Sequence, residues 1–218
     1  HIDSDNDEVT DDQENDQKRY QEQLIIIGTF AREILSHSLP ILAKLLEEKI
    51  RTFTMMLQTL YSGNISLSEK DKKALENMFE DLHWLLLISG YTISDSEGEG
   101  ETVVIPSEIN QFCQKKFTEG STDISKPLEL LAKPEKDICE ILPDPDRADL
   151  VLRIIASVHR QCELQLTALK CNMVQCLSPE LSATLMWFLK MYLNVYLFPL
   201  PEYYDVISEP VKVALGID

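Results

Sequence analysis

Phe79 to Ile109 reads FEDLHWLLLISGYTISDSEGEGETVVIPSEI, and the fold of this 218-residue chain turns on it. Leu82, Trp84, Leu85, Leu86, Leu87 and Ile88 place apolar groups on every side of a helix. Such a helix cannot face water and needs protein on both sides. In the middle of a helical chain, this predicts a stacked array of helices more than a compact bundle. An acidic, glycine-bearing loop over Ser94–Thr102 follows, and Pro106 opens the next helix.

Working outward, the same periodic signal recurs. Leu24, Ile27, Gly28, Ala31, Ile34 and Leu35 form a stripe at helical spacing from about Lys18. His37 and Ser38 break that run, and Pro40 suits the first turn of a second helix. That helix carries Leu42, Leu46, Ile50, Phe53, Leu57 and Leu60, and Gly63 is expected as its left-handed C-cap. Ser68 and Asp71 read as a capping box for a third helix running to about Ile93. Pro106 to about Phe117 is a shorter helix. Residues 118–146 hold Pro127, Pro134, Pro143 and Pro145, which predict short turns joined by irregular chain.

Asp146 is a suitable N-cap for the longest helix, about Arg147 to Val174. Its stripe is Val151, Ile155, Val158, Cys162, Leu166, Leu169 and Met173. Ser178-Pro179 supplies an N-cap and a first-turn proline for a last long helix, stopped by Pro199 and Pro201. Tyr203–Ile207 reads as one further turn. The fold class expected is all-α, an α-solenoid of HEAT-like antiparallel helix pairs at about 18–62, 68–117 and 147–197. Residues 1–17 read as a disordered acidic leader, and 18–218 as a repeat segment truncated at both ends.

Composition removes several classes of function. The net charge is −17, and the eight carboxylates of residues 1–17, with no Lys or Arg among them, leave −9 for the rest. Such a surface repels phosphate backbones and anionic lipids and attracts basic proteins, so neither nucleic acid nor membrane is an expected partner. Leu185–Leu200 is apolar but is interrupted by Lys190, Asn194 and Pro199, too broken to span a bilayer. The N-terminus lacks the basic and apolar regions of a signal peptide. The five cysteines are odd in number and form no C-x-x-C, which favours free thiols in a reducing compartment.

Neither catalytic residues nor metal ligands nor a cofactor are expected. His159 and Cys162, with Cys171 and Cys176 nearby, have a superficially zinc-like spacing, but Cys162 sits in an apolar stripe as a small hydrophobe would. His83 is read as a packed, hydrogen-bonded residue. No G-x-S-x-G and no thiol-protease pattern occurs, so no enzyme is expected. Gly98-Glu99-Gly100 is too acidic to cradle phosphate. That loop reads either as a solvated acidic turn or, more sharply, as a docking edge for a basic cargo through Asp95, Glu97, Glu99 and Glu101. Ser4, Ser94 and Ser96 each precede an acid at the third position on, a weak phosphorylation signal.

Several blocks resemble a known family. They are Leu39-Pro40-Ile41-Leu42 with Leu45-Leu46-Glu47-Glu48-Lys49-Ile50, then Glu80-Asp81-Leu82-His83-Trp84-Leu85 on to Gly90-Tyr91. Glu99-Gly100-Glu101-Thr102 and Ile105-Pro106-Ser107-Glu108-Ile109 follow, with Leu177-Ser178-Pro179, Trp187-Phe188-Leu189-Lys190 and Tyr204-Asp205-Val206-Ile207-Ser208 near the end. In this order they resemble the exportins of the importin-β (karyopherin) superfamily, over roughly residues 23–216. The resemblance implies an internal piece of a HEAT-repeat nuclear export receptor that shuttles between nucleus and cytoplasm. It further implies Ran-GTP as a partner, mainly through other parts of such a receptor, with FG repeats of the nuclear pore and a basic or hypusine-bearing translation-factor-like cargo. The alternative is a HEAT-type scaffold that binds a basic protein and has no part in transport.

Overall fold

The computed structural model describes residues 15–63, 67–96, 103–199 and 207–216. Helices α1 (Asp16–Arg19), α2 (Gln21–Glu33), α3 (Leu35–Ser62) and α4 (Glu69–Ile93) come first. A two-residue hairpin follows, β1 (Asp95–Ser96) and β2 (Val103–Val104), paired antiparallel with Asp95 opposite Val104. Then come α5 (Ser107–Thr118), α6 (Pro127–Ala132), α7 (Ile138–Ile141), α8 (Leu150–Lys170), α9 (Pro179–Tyr192) and α10 (Glu209–Leu215). A π turn over Leu193–Leu197 extends α9. The fold is all-α.

Helix α4 is enclosed as its sequence requires. Its N-terminus is held by the Ser68–Asp71 capping box, and from Leu82 to Ile93 its residues are buried or half-buried. Three long helices surround it. Tyr20, at the N-cap of α2, meets the Trp84 ring; on α2 itself Gly28 lies against Tyr91 and Arg32 reaches Ser94. Positions rise together along both chains, so α2 runs parallel to α4. Helix α9 does the same, with His83 on Thr184 and Gly90 under Trp187 and Phe188. Helix α3 is antiparallel to α4, since Lys49 pairs with Asp81 and Phe53 packs on Phe79.

The second layer follows the same rule. Pro40 shares a cavity wall with Asp149, Glu47 binds Arg153, and Ile50 lines a pocket with Ala156, so α8 runs parallel to α3. Helix α9 returns antiparallel along α8, through Gln165 to Ser182 and His159 to Tyr192. Two hairpins, α3–α4 and α8–α9, are therefore stacked like on like, with α2 added to the α4–α9 layer. The main core lies between these layers, and a smaller one under α6 and α7 gathers Leu130, Ile138, Ile141 and Leu142.

The pairing differs from the expected 18–62 unit. Helices α2 and α3 meet at Ile34 with a bend of 118°, and α3 takes α4 as its antiparallel partner. The break falls at Ile34, before His37 and Ser38, which are helical; Pro40 lies inside α3. Ser38 stabilises the junction, its hydroxyl donating to the Ala31 carbonyl at 2.6 Å. Asp16 and Gln17, assigned to the leader, belong to α1. Gly63 ends α3 with φ −88°, without a left-handed turn. Asp149, not Asp146, caps α8, accepting from Val151 and Leu152 N–H. Among the described residues no single helix is long and apolar enough to cross a membrane.

Candidate functional site

The acidic loop places only Asp95 among the described residues; Glu97, Glu99 and Glu101 lie outside them, as does Ser4. Asp95 begins β1, and its carboxylate is 3.6 Å from the Arg32 guanidinium. Arg32 also donates to the Tyr91 carbonyl at 2.9 Å and the Ser94 carbonyl at 3.4 Å. A buried helix end leaves carbonyls without partners. Arg32 answers two of them from α2, and Tyr196 donates to a third, Ile93, at 2.6 Å. Asp95 thus balances a cation that caps α4 and is not a free docking charge. Ser94 is buried, its hydroxyl donating to the Gly90 carbonyl, so a phosphate there would displace packed chain.

A different polar cluster lines an open groove between α1, α4 and α9. Asn15, Asp16, Gln17, Arg19, His83, Glu180 and Thr184 contribute to it, with Trp187 on one wall. Asp16 begins α1, which Asn15 caps by accepting from the Lys18 N–H. Glu180 lies in the first turn of α9, whose Ser178 cap and Pro179 are those read from sequence. Close packing brings the helices together here. A Cβ on Gly28 would stand 2.2 Å from the Tyr91 carbonyl oxygen, and one on Gly90 would stand 2.6 Å from the Trp187 ring. Gln17 adds a hydrogen bond of 2.7 Å to the Tyr91 hydroxyl.

His83 projects from α4 into this groove and is only 5% exposed. Its Nδ1 is 2.7 Å from the Thr184 Oγ1. The Thr184 hydroxyl is also 3.0 Å from the Glu180 carbonyl, so in the tautomer with Nδ1 protonated Oγ1 accepts from the imidazole while donating to that carbonyl. Nε2 has no hydrogen-bond partner and lies 3.6 Å from an Asp16 carboxylate oxygen. One ligating atom from each of Asp16, His83 and Glu180 lies within 4.8 Å of the others. The histidine is packed and hydrogen-bonded on one side, as its apolar surroundings suggest. Sequence gives no sign of the other side, because its partners arrive from two distant stretches.

The zinc-like residues weighed on α8 have other surroundings. His159 sits edge-on to Tyr192, and burial lowers its pKa from the ordinary 6.5. Cys162 packs against the main core, where burial pushes its thiol up to about 11. A thiol held so far up is a poor source of thiolate.

No family model matches the chain. It is similar to Exportin-4 of Dictyostelium discoideum, 25% identical over 209 residues that make up 95% of this chain. The chain spans 15% of the length of that relative. The match supports a distant exportin-like relationship.

Proposed function

We propose that the chain is a segment of a nuclear export receptor that carries protein cargo with Ran-GTP and shuttles between nucleus and cytoplasm. The parallel stacking of α2 and α9 on α4, and of α3 on α8, carries this reading, because helix pairs stacked in one register are how a solenoid grows. The similarity to Exportin-4 across nearly the whole chain supports it. So does an exposed apolar face on α2, formed by Ile26, Ile27, Phe30 and Ile34, of the kind a further helix in such an array covers. In this reading the segment works by binding, without chemistry of its own. The acidic surface suits a basic or hypusine-bearing cargo, with Glu97, Glu99 and Glu101 as the candidate docking edge, and grooves between stacked helices suit the aromatic side chains of FG repeats.

The test is capture of a basic cargo by the full-length protein, with and without Ran locked in its GTP form. Capture raised at least tenfold by Ran-GTP is expected. Equal capture in both arms would sink the export reading and favour a scaffold that binds basic proteins outside transport, which the net charge of −17 also suits.

A further inference from the structure

We propose that Asp16, His83 and Glu180 form a binding site for a divalent transition-metal ion of the zinc class, joining α1 to α4 and α9. The inference is independent of the export reading. Three features carry it. The first is composition, since one imidazole and two carboxylates are ligand types that zinc accepts, with a fourth position left for water. The second is placement, with one ligating atom of each within 4.8 Å of the others and Nε2 3.6 Å from Asp16. Two atoms bound to one ion at about 2.0–2.2 Å stand somewhat over 3 Å apart in tetrahedral geometry, so small side-chain adjustments close the set.

The third is the state of the imidazole. With its hydroxyl proton on the Glu180 carbonyl, Thr184 is placed to accept from Nδ1–H, and in that tautomer the lone pair sits on Nε2 at the groove. Holding the remote ring nitrogen in this way is how proteins orient a metal-bound histidine. A buried ring nitrogen without a hydrogen-bond partner, beside the Asp16 carboxylate, is a position that a cation would satisfy. The groove's own cation, Arg19, is turned onto the Tyr20 ring, 5.3 Å from its centroid. A bound ion would complete the wall that α1 makes against α4 and α9.

The experiment is a zinc titration of the intact protein at neutral pH against a chromogenic chelator, with thermal unfolding followed in parallel. The expected result is one saturable ion per chain and a higher unfolding temperature when it is bound. Asp16→Asn and Glu180→Gln, both at partly open positions, should each weaken zinc at least tenfold while leaving the metal-free unfolding temperature unchanged. Thr184→Val, which touches no ion, should weaken it about 10–100-fold by releasing the imidazole. Cys162→Ser should leave affinity unchanged. Absence of saturable binding, or binding that Asp16→Asn and Glu180→Gln leave intact, overturns the site.

Discussion

Arg153 and His83 are buried to nearly the same degree, yet their surroundings are opposites. Arg153 enters the core from α8 and meets Glu47 of α3 in a two-pronged pair, both bonds 2.8 Å. Its remaining nitrogen donates to the Pro145 carbonyl and to Asp146. Every part of that guanidinium is answered from within the chain. His83 has one nitrogen answered and the other facing a groove. A closed cluster fixes how α3 and α8 register against each other. An open one leaves a valence for something from outside, and that difference separates a structural pair from a candidate binding site.

The largest expected effect breaks the closed cluster. Glu47→Gln removes the largely buried carboxylate paired with Arg153, leaving only the exposed Asp146 as counter-charge, and should cost about 3–5 kcal/mol of unfolding free energy. Replacing both partners, as Glu47→Leu with Arg153→Met, should recover most of it. Urea unfolding of both variants decides this; a loss below about 1 kcal/mol for Glu47→Gln would put the pair with weak surface bridges.

A smaller effect probes the open cluster from a distance. Gly28→Ala forces a methyl against the Tyr91 carbonyl, which is backbone and cannot turn aside. Helix α2 must shift, at about 1–3 kcal/mol, and α1 shifts with it. Zinc affinity should fall although no ligand is altered. Unchanged zinc affinity in a destabilised Gly28→Ala protein would show that α1 holds its place without α2.

The smallest effect concerns pH and uses His159, a half-buried imidazole. Burial lowers its pKa in the folded chain below the ordinary 6.5, so the unfolded chain takes up the proton first. Its contribution is then complete above 6.5 and is lost as pH falls through 6.5 toward the lower native value. His159→Gln should flatten the stability profile on the acid side, below pH 6.5, followed by chemical unfolding at several pH values. An unaltered slope would assign the acid sensitivity to other groups.

Much of the frame was legible. The capping box at Ser68, the proline-started α9 and the all-round apolar run of α4 are local signals, set by neighbours in sequence. The same signals misplaced the inward face of α2. Leu24, Gly28 and Arg32 turn toward α4, while Ile27 and Ile34 face outward. A periodicity search counts Arg32 as polar and passes over it, yet its buried position follows from the carbonyls it caps on α4. On α8, Leu166 and Leu169 are exposed while Arg153, Gln161 and Ala168 are buried. Here again a distant helix decides the face. The metal cluster was beyond reach for the same reason, since Asp16, His83 and Glu180 meet only once α1, α4 and α9 have stacked.

The capping of α4 by Arg32 bears on how the molecule breathes. Helix ends ordinarily fray alone, one turn at a time, within the lowest-energy openings of a protein. The last turn of α4 cannot do so while Arg32 and Tyr196 hold its carbonyls from two other helices. Opening there requires α2 or the end of α9 to leave as well, so a local fluctuation becomes a concerted one that spans the whole layer.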